Sequence, residues 1–402
     1  LLYYGRIRGK STYKDVISKC ESERFVSEDR ASSDLPLAGI TVLDATSNIA
    51  GPFGGAILGD LGARVLKIET PAADAARTMS PVEGDRSAYF HVVNRNKSSI
   101  TIDLKSESGR LFLDDLLDTA DVLLTNFLPE KLAEYHLTPD ELMEKRPGLI
   151  IGNLSSYGSE GPSRHFPGYD ATVQARTGIM QVTGERSGEP VRVGVSVLDV
   201  GGGTWLALGI LAALIKRTKT GLGSVIETSL YETGVSWVSY HLSAFQLTSA
   251  PSIRSGSGHP AFAPYGLFKT GDGEIMIGVG NNVIFSRLCK VINREDLVEN
   301  EKFKENVDRV KNNSELEAEI ERVLAGKNSK DWVELLAASG VPADHLALPE
   351  DLLNDPQAAA LDILVDYPDP TSKVKKIPGL PFRIDGKRPG IRNPAPHKDQ
   401  PK

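Results

Sequence analysis

The sequence predicts an α/β protein with a Rossmann-like large domain and a second, smaller α+β domain. Three observations carry this reading. From about Leu35 to Gly158, short runs rich in β-branched residues alternate with helical patterns, the order that builds a mostly parallel sheet with helices on both faces. After a helical stretch near 232–247 the texture changes to a polar segment, a hairpin pattern around Gly271, Asp272 and Gly273, and charged helices. The chain has 402 residues, 40% of them hydrophobic, enough to bury a core in each of two domains. The boundaries follow as an N-terminal extension over 1–35, a large domain over 36–227, a small domain over 228–335, and a segment over 336–402 that returns to the large domain.

The elements can be justified in order. ITVLD (40–44) is a strand, GPFGGAILGDLGA (51–63) a Gly-rich turn and short helix, and RVLKIE (64–69) a second strand, which together make a βαβ unit. SITIDLK (99–105) reads as a strand, SGRLFLDDLLDTA (108–120) as an amphipathic helix and DVLLTNF (121–127) as a strand. PDELMEKRP (139–147) is a helix closed by Pro147, and LIIGNLSSYG (149–158) a further strand. The β-branched run at 193–198 is strand-like, and TWLALGILAALIK (204–216) reads as a buried helix. Asp199 therefore falls at a strand-to-helix junction. Gly201, Gly202 and Gly203 follow it, letting a ligand approach the backbone and leaving the first helical N–H groups open to an anion. A carboxylate in that seat is either an N-cap, the commoner use of Asp there, or a nucleophile.

Residues 1–35 are different in kind. Up to residue 19, Arg6, Arg8, Lys10, Lys14 and Lys19 face a single acid, Asp15, so the stretch reads either as the remains of a mitochondrial transit peptide or as an exposed arm. The first reading favours the mitochondrial matrix over the cytoplasm for a soluble intracellular protein.

Composition and motifs narrow the chemistry. The formal net charge of −7 argues against a broad nucleic-acid surface while leaving room for a local basic groove. Cys20 and Cys289 are too few for a disulfide framework, and no apolar run reaches the roughly 18 residues of a membrane span. Neither a nucleic-acid nor a membrane partner is expected. Gly51, Gly54 and Gly55 do not make GxGxxG and Pro52 occupies the turn, which disfavours a dinucleotide-binding oxidoreductase with Glu69 as ribose ligand. No Walker A sequence occurs, and dispersed histidines without HExxH or paired cysteines give no metal site.

Several segments in register carry a family resemblance: LAGITVLDATSNIAGPFGGAILGDLGARVLKIE, YFHVVNRNKSSITIDLK, ADVLLTNFLPEKL, PGYDATVQARTG, VSVLDVGGGTWLALGILAAL and the stretch from GSGHP to GVGNN. From about Leu35 to Gly379 the chain resembles the class III CoA-transferases, the formyl-CoA transferase-like family. The resemblance implies an enzyme with no prosthetic group, coenzyme A thioester as substrate, a small carboxylic acid as second substrate, and an intertwined homodimer. NRNKSSITIDLK, PGYDA and GHP…PYGLFKT…GVGNN look like the dicarboxylate-specific members, implying succinyl-CoA as donor and a dicarboxylic acid such as glutarate as acceptor.

In that family the aspartate before a GGG-type helix start is the nucleophile, and Asp199 stands at that place. A helix N-terminus favours its ionised form. By family position Ile49 and Ala50 in a turn, Ile102, Asp103, Leu104 and Lys105 at a strand end, and Asn126 with Phe127 line the CoA site, with Tyr169 and Asp170 beside the substrate. Asp170 also reads as the cap of a helix entered by the GYD turn. Lys105 is the favoured phosphate partner; Arg95 and Lys97 are weaker candidates, because charges flanking a strand are usually solvated. Thr70 and Glu134 stand where oxalate-specific relatives carry Arg, so either the adenosine end is held differently or Lys67 and Lys131 substitute. The oxyanion donors are N–H groups around Gly201 to Gly203 or those of the glycine loop at 256–258, a loop that reads equally as a flexible linker. Arg164, His165 and Arg192 are candidate partners of the acceptor carboxylate.

The α-methylacyl-CoA racemases share this pattern but carry His before the Asp of a GHD motif. Here Tyr169 precedes Asp170, and a phenol with a pKa of about 10 is poorly matched to a base near neutral pH. Racemase-like proton transfer and an inactive CoA-binding protein are the alternatives to CoA transfer.

Overall fold

The computed structural model describes residues 34–398, so the expected extension lies, but for its last two residues, outside the described residues. The chain forms two compact units. The first takes the described residues up to Asp170, then Val197–Thr233, then those from Leu361 onwards; the second takes Ala171–Ser196 and Gly234–Ala360. These limits differ from the expected ones. Residues 171–196 join the second unit, which also runs past 335 because the strand at Ala343–His345 completes its sheet.

The first unit is built on six parallel strands: β1 (Thr41–Asp44), β2 (Arg64–Glu69), β3 (Lys97–Thr101), β4 (Val122–Thr125), β5 (Ile150–Ser155) and β6 (Ser224–Ser229). Their order is β3-β2-β1-β4-β5-β6. The chain moves outward from β1 to β3 and then returns to place β4 on the other side of β1, which puts a topological switch point between β1 and β4. All four residues of β4 are buried, as a central parallel strand requires.

Four helices matter here: α1 (Ala50–Asp60), α2 (Glu107–Leu117), α3 (Pro139–Lys145) and α4 (Val197–Thr220). The amphipathic pattern of α2 puts Leu113 and Leu117 into the core with Leu43, Ile68, Leu123 and Ile151, and its first turn is capped by Ser106, which accepts from the Gly109 N–H at 3.0 Å.

Four expectations need correction. The strand expected over 99–105 is β3, Lys97–Thr101, and 102–105 form the turn into α2. The strand-like run at 193–198 is not a strand, for α4 already begins at Val197 and continues to Thr220. Local β propensity loses there to an N-terminal cap and to packing against α1. By length and hydropathy α4 is apolar enough to cross a membrane, a longer stretch than the sequence reading allowed, but Leu198, Leu206, Ile210 and Leu214 are buried in the first unit, as in a core helix. The helix expected near 232–247 is two, Leu230–Trp237 and Ser239–Thr248.

The second unit contains α5 (Ser239–Thr248) and an antiparallel sheet of β7 (Tyr265–Lys269), β8 (Glu274–Gly278) and β9 (Ala343–His345). The Thr270 N–H donates to the Gly273 carbonyl at 2.8 Å and closes the β7–β8 hairpin. Helices α6 (Asn282–Val291), α7 (Asn313–Leu324) and α8 (Ser329–Ala338) share with the sheet a core that includes Phe268, Ile277, Phe285, Leu316 and Trp332.

Candidate active site

In an open parallel sheet the crevice outside the carboxyl ends of the strands, at the switch point, is where ligands bind. Here that place is framed by the loop 45–49 between β1 and α1 and by Asn126 just after β4. Asn126 clasps the loop in both directions: its Oδ1 accepts from the Ser47 N–H at 3.1 Å and its Nδ2 donates to the Ser47 carbonyl at 2.9 Å. Phe127 stacks edge-on against Tyr135, with ring centroids 5.5 Å apart, and packs on the core.

A buried ionic network lies beneath this loop. The Asp44 Oδ1 accepts from the Thr46 N–H at 3.0 Å and from the Thr46 hydroxyl, while its Oδ2 meets the Lys97 Nζ at 2.7 Å. Burial alone would raise Asp44, but Lys97 and Lys67 hold its carboxyl below the usual range. Burial pushes Lys97 down to about 8 against the attraction of Asp44. Lys67 bonds the Thr46 carbonyl at 2.9 Å and Asp74 at 2.7 Å. The glycines of α1 now acquire reasons. A Cβ on Gly55 would sit 2.6 Å from Asp44 Oδ2, and one on Gly54 2.9 Å from the Gly203 carbonyl, so the first makes room for the ion pair and the second for the crossing of α4.

Helix α1 starts without a side-chain cap, its N-cap position being Ile49. The N–H groups of residues 45–48 are bonded, to Leu124, Asp44, Asn126 and Asp74. Those of Ile49, Ala50 and Gly51 have no acceptor among the described residues. The side chains of Ile49 and Ala50 are buried, so what these two positions offer a ligand is backbone.

The other end of the site is the start of α4. Because α4 leads directly into β6 and packs on β5 and β6, its N-terminus lies at the carboxyl edge of the sheet, as that of α1 does. The cap is Asp170, whose Oδ2 accepts from the Leu198 N–H at 2.7 Å and the Asp199 N–H at 3.3 Å. Asp170 thus caps a helix, as the sequence allowed, but the helix is α4, while Asp170 itself stands first in the helix Asp170–Arg176. Asp199, in the first turn of α4, has no side-chain hydrogen bond or ion pair among the described residues. Burial, with the Asp170 charge adding to it, pushes its carboxyl up to about 7. This overturns the expectation that the helix end simply favours its ionised form. Gly203, one turn further and on the same face, lies so close to α1 that a Cβ there would collide with the Ala50 carbonyl. Asp199 therefore projects from the face of α4 that crosses the start of α1.

Other expectations meet the structure less well. Ile102 and Leu104 are core side chains, leaving Asp103 and Lys105 exposed in the turn. Lys105 makes no ion pair among the described residues. Arg95 and Lys97 are not solvated: Arg95 pairs with Asp60 at 2.7 Å, and both cations are buried. Lys67 is sealed in its own pair and so is not free to stand in for a missing Arg, whereas Lys131 is half-exposed in a surface pair with Glu134 at 2.5 Å. Glu69 is held at about 2 by Arg77 and Ser99 although burial works the other way, and is occupied in that pair. Gly201, Gly202 and Gly203 lie inside α4, where their N–H groups serve the helix, and so cannot be oxyanion donors. In the second unit the Gly256 N–H donates to the Gly184 carbonyl at 3.2 Å and that of Gly258 to the Ser255 carbonyl at 2.9 Å, so the glycine loop is a bonded turn whose two N–H groups are taken. Arg164 donates to His165, which pairs with Glu130, and Arg192 bonds the Val193 carbonyl at 3.2 Å. Tyr169 is 71% exposed at the same edge, next to Asp170.

The sequence reading missed Asp44 and Asp74 and misjudged Lys67 and Lys97. A signal was present in Lys67, a lysine inside the apolar strand RVLKIE, where a charge needs a buried partner.

A parallel sheet of this order, with an unpaired carboxylate at the carboxyl edge of its strands, is the frame of an α/β enzyme. The profile of CoA-transferase family III matches residues 37–401, and the chain belongs to that family. It is 37% identical to the acetyl-CoA:oxalate CoA-transferase of Acetobacter aceti, over 91% of this chain and 93% of that one. It is 34% identical to the human succinyl-CoA:glutarate CoA-transferase, over 91% and 85% respectively. Among solved structures, Rv3272 of Mycobacterium tuberculosis superposes with a TM-score of 0.81 at 33% identity, covering 90% of this chain and 96% of that one. A CaiB/BaiF family protein of Brucella suis gives 0.80 at 33% identity with the same coverage. The protein is a class III CoA-transferase, and CoA thioesters are its substrates.

Proposed function

We propose that this enzyme moves CoA from succinyl-CoA to a dicarboxylic acid such as glutarate, with Asp199 as nucleophile. The observation that carries the role of Asp199 is its unpaired carboxyl, raised to about 7, on the face of α4 that crosses the start of α1. A carboxylate of higher pKa is the stronger nucleophile once ionised. It attacks the thioester carbonyl; the C–S bond breaks, leaving CoA thiolate and an acyl aspartyl anhydride. The thiolate attacks the aspartyl carbonyl and the first acid departs as its carboxylate, giving an aspartyl-CoA thioester. The acceptor carboxylate attacks that carbonyl and expels the thiolate, which takes the new acyl group from the second anhydride and frees Asp199.

The CoA end belongs at the switch point. The open N–H groups of Ile49, Ala50 and Gly51 offer donors to an anion, Asn126 fixes the loop, and Lys105 and Asp103 stand exposed at the end of β3. The choice of a dicarboxylate rests on the motifs in the sequence and on the human relative; the Acetobacter relative is named for oxalate. Mass spectrometry of a matrix of acyl-CoA donors against free acids tests it. A succinyl-CoA and glutarate pair slower than oxalate pairs would overturn the acceptor.

The homodimer is part of the same proposal. None of the residues of α5 is buried and Leu247 is 87% exposed, while α4 exposes Trp205, Leu208 and Ile215, apolar area of the kind that a second copy covers. Sedimentation at micromolar concentration giving a monomer would remove it. The basic, acid-poor start of the chain supports a mitochondrial matrix location, tested by fusing residues 1–35 to a reporter.

A further inference from the structure

We infer that Lys67, acting with Asp74, is a positioning residue for CoA: it holds the loop at 46–48 so that the first N–H groups of α1 face the ligand. The inference rests on the CoA-transfer reading above. Lys67 has 0% side-chain exposure and Asp74 1%, and an ammonium group so enclosed is tolerated only when its donors are used. They are used on the loop. Nζ donates to the Thr46 carbonyl at 2.9 Å and pairs with Asp74 Oδ2 at 2.7 Å, while Asp74 Oδ1 accepts from the Asn48 N–H at 2.9 Å.

One ion pair thus grips the backbone on both sides of Ser47, and Asn126 grips Ser47 itself from β4. Asn48 lies at φ 67°, in the left-handed region, a conformation that a single bonded contact on its N–H helps to keep. The consequence falls on the next residues. With 45–48 fully bonded inward, the chain enters α1 at a fixed angle and leaves the donors of Ile49, Ala50 and Gly51 pointing along the helix axis. A well-packed apolar pair in place of Lys67 and Asp74 would fill the volume and stabilise at least as well. It would give no direction to the two backbone groups.

The test compares this pair with another that is equally buried. Lys67→Met should raise the KM for succinyl-CoA at least about tenfold while kcat and the KM for the free acid stay within about threefold. Amide hydrogen exchange in a peptide covering 45–53 should speed up by at least about tenfold. Arg95→Met, alone or with Asp60→Asn, removes a buried cation at the far end of α1. It should lower Tm and leave both the KM and that exchange unchanged. In Lys67→Met with Asp74→Asn no unpaired charge remains buried, so Tm should recover toward wild type while the KM stays high. A folded Lys67→Met with wild-type KM and exchange overturns the inference, as does an Arg95→Met that raises the KM equally. Should the wild type neither bind CoA nor transfer it, the function reading fails, and local exchange alone then decides the role of Lys67.

Discussion

Two helices begin at the same edge of the sheet, and they begin in opposite ways. Helix α4 has its Leu198 and Asp199 N–H groups taken by the Asp170 carboxylate, which leaves the side chain of Asp199 as what that terminus presents. Helix α1 has no side-chain cap; its preceding loop is tied down from beneath, and its first N–H groups meet no acceptor among the described residues. Burial at the start of α4, with the Asp170 charge adding to it, raises the Asp199 carboxyl to about 7. An anion placed at α1 meets donors with nothing else to bind. The difference teaches that a filled terminus sets its own side chains forward, while an open one offers its backbone donors to a ligand.

The largest break in this comparison is Asp199→Asn. Transfer should fall by at least about 10³-fold with CoA affinity retained. Kinetics together with CoA titration check it, and near wild-type turnover would remove Asp199 as nucleophile. The same variant has a stability signature. The pKa of Asp199 is higher folded than unfolded, so the folded state binds the extra proton between about 4 and about 7, and stability is lost as pH rises through about 7. Asn has no such loss, so the Tm gain of the variant over wild type should be larger at pH 8 than at pH 5.

Next is Gly203→Ala, which forces a methyl group against the Ala50 carbonyl. It should cost about 1–3 kcal/mol, read by urea unfolding, and lower kcat by moving Asp199 relative to α1. An unchanged midpoint would mean that the helices do not cross this closely. Asp170→Asn sharpens the α4 side, since Asn caps as well as Asp but without charge. The acid limb of the kcat/KM profile should shift to lower pH, raising activity at pH 6 by up to about tenfold. A shift to higher pH would show that Asp170 does not act on Asp199 through its charge. The smallest effect belongs to the α1 side: Lys105→Glu should raise the KM for acyl-CoA about fivefold and leave that for the acid unchanged, because an exposed contact contributes about 1 kcal/mol. Equal effects on both substrates would move the phosphate site elsewhere.

Much of this arrangement could be read from the sequence, for reasons that differ by residue. The βαβ alternation from 40 to 69 and the amphipathic pattern of α2 are periodic and local, and the elements formed where the pattern put them. Asn126, Ile49 and Ala50 came from family position, and the strand order brings them together at one switch point. Ile102 and Leu104 failed as site side chains because β3 stops at Thr101 and the turn after it sends them into the core. The start of α4 was misread because its cap is 27 residues upstream of its first helical residue, and no local pattern encodes such a partner.

By itself the sequence determined the class of fold, the kind of enzyme and the residue to suspect as nucleophile, because hydrophobic period and ordered motifs are properties of neighbouring residues. Only the tertiary structure decided what the charges do. Lys97 looks like a solvated cation in the sequence and Lys67 like a stand-in for a missing Arg, and both are sealed in ion pairs beneath a loop. Gly203 looks like part of an anion-binding turn and is a contact point where α4 crosses α1. Asp199 looks like an ordinary carboxylate and is raised to about 7. Burial and the distance to a second charge set each of these outcomes, and both exist only once segments far apart in the chain have packed together.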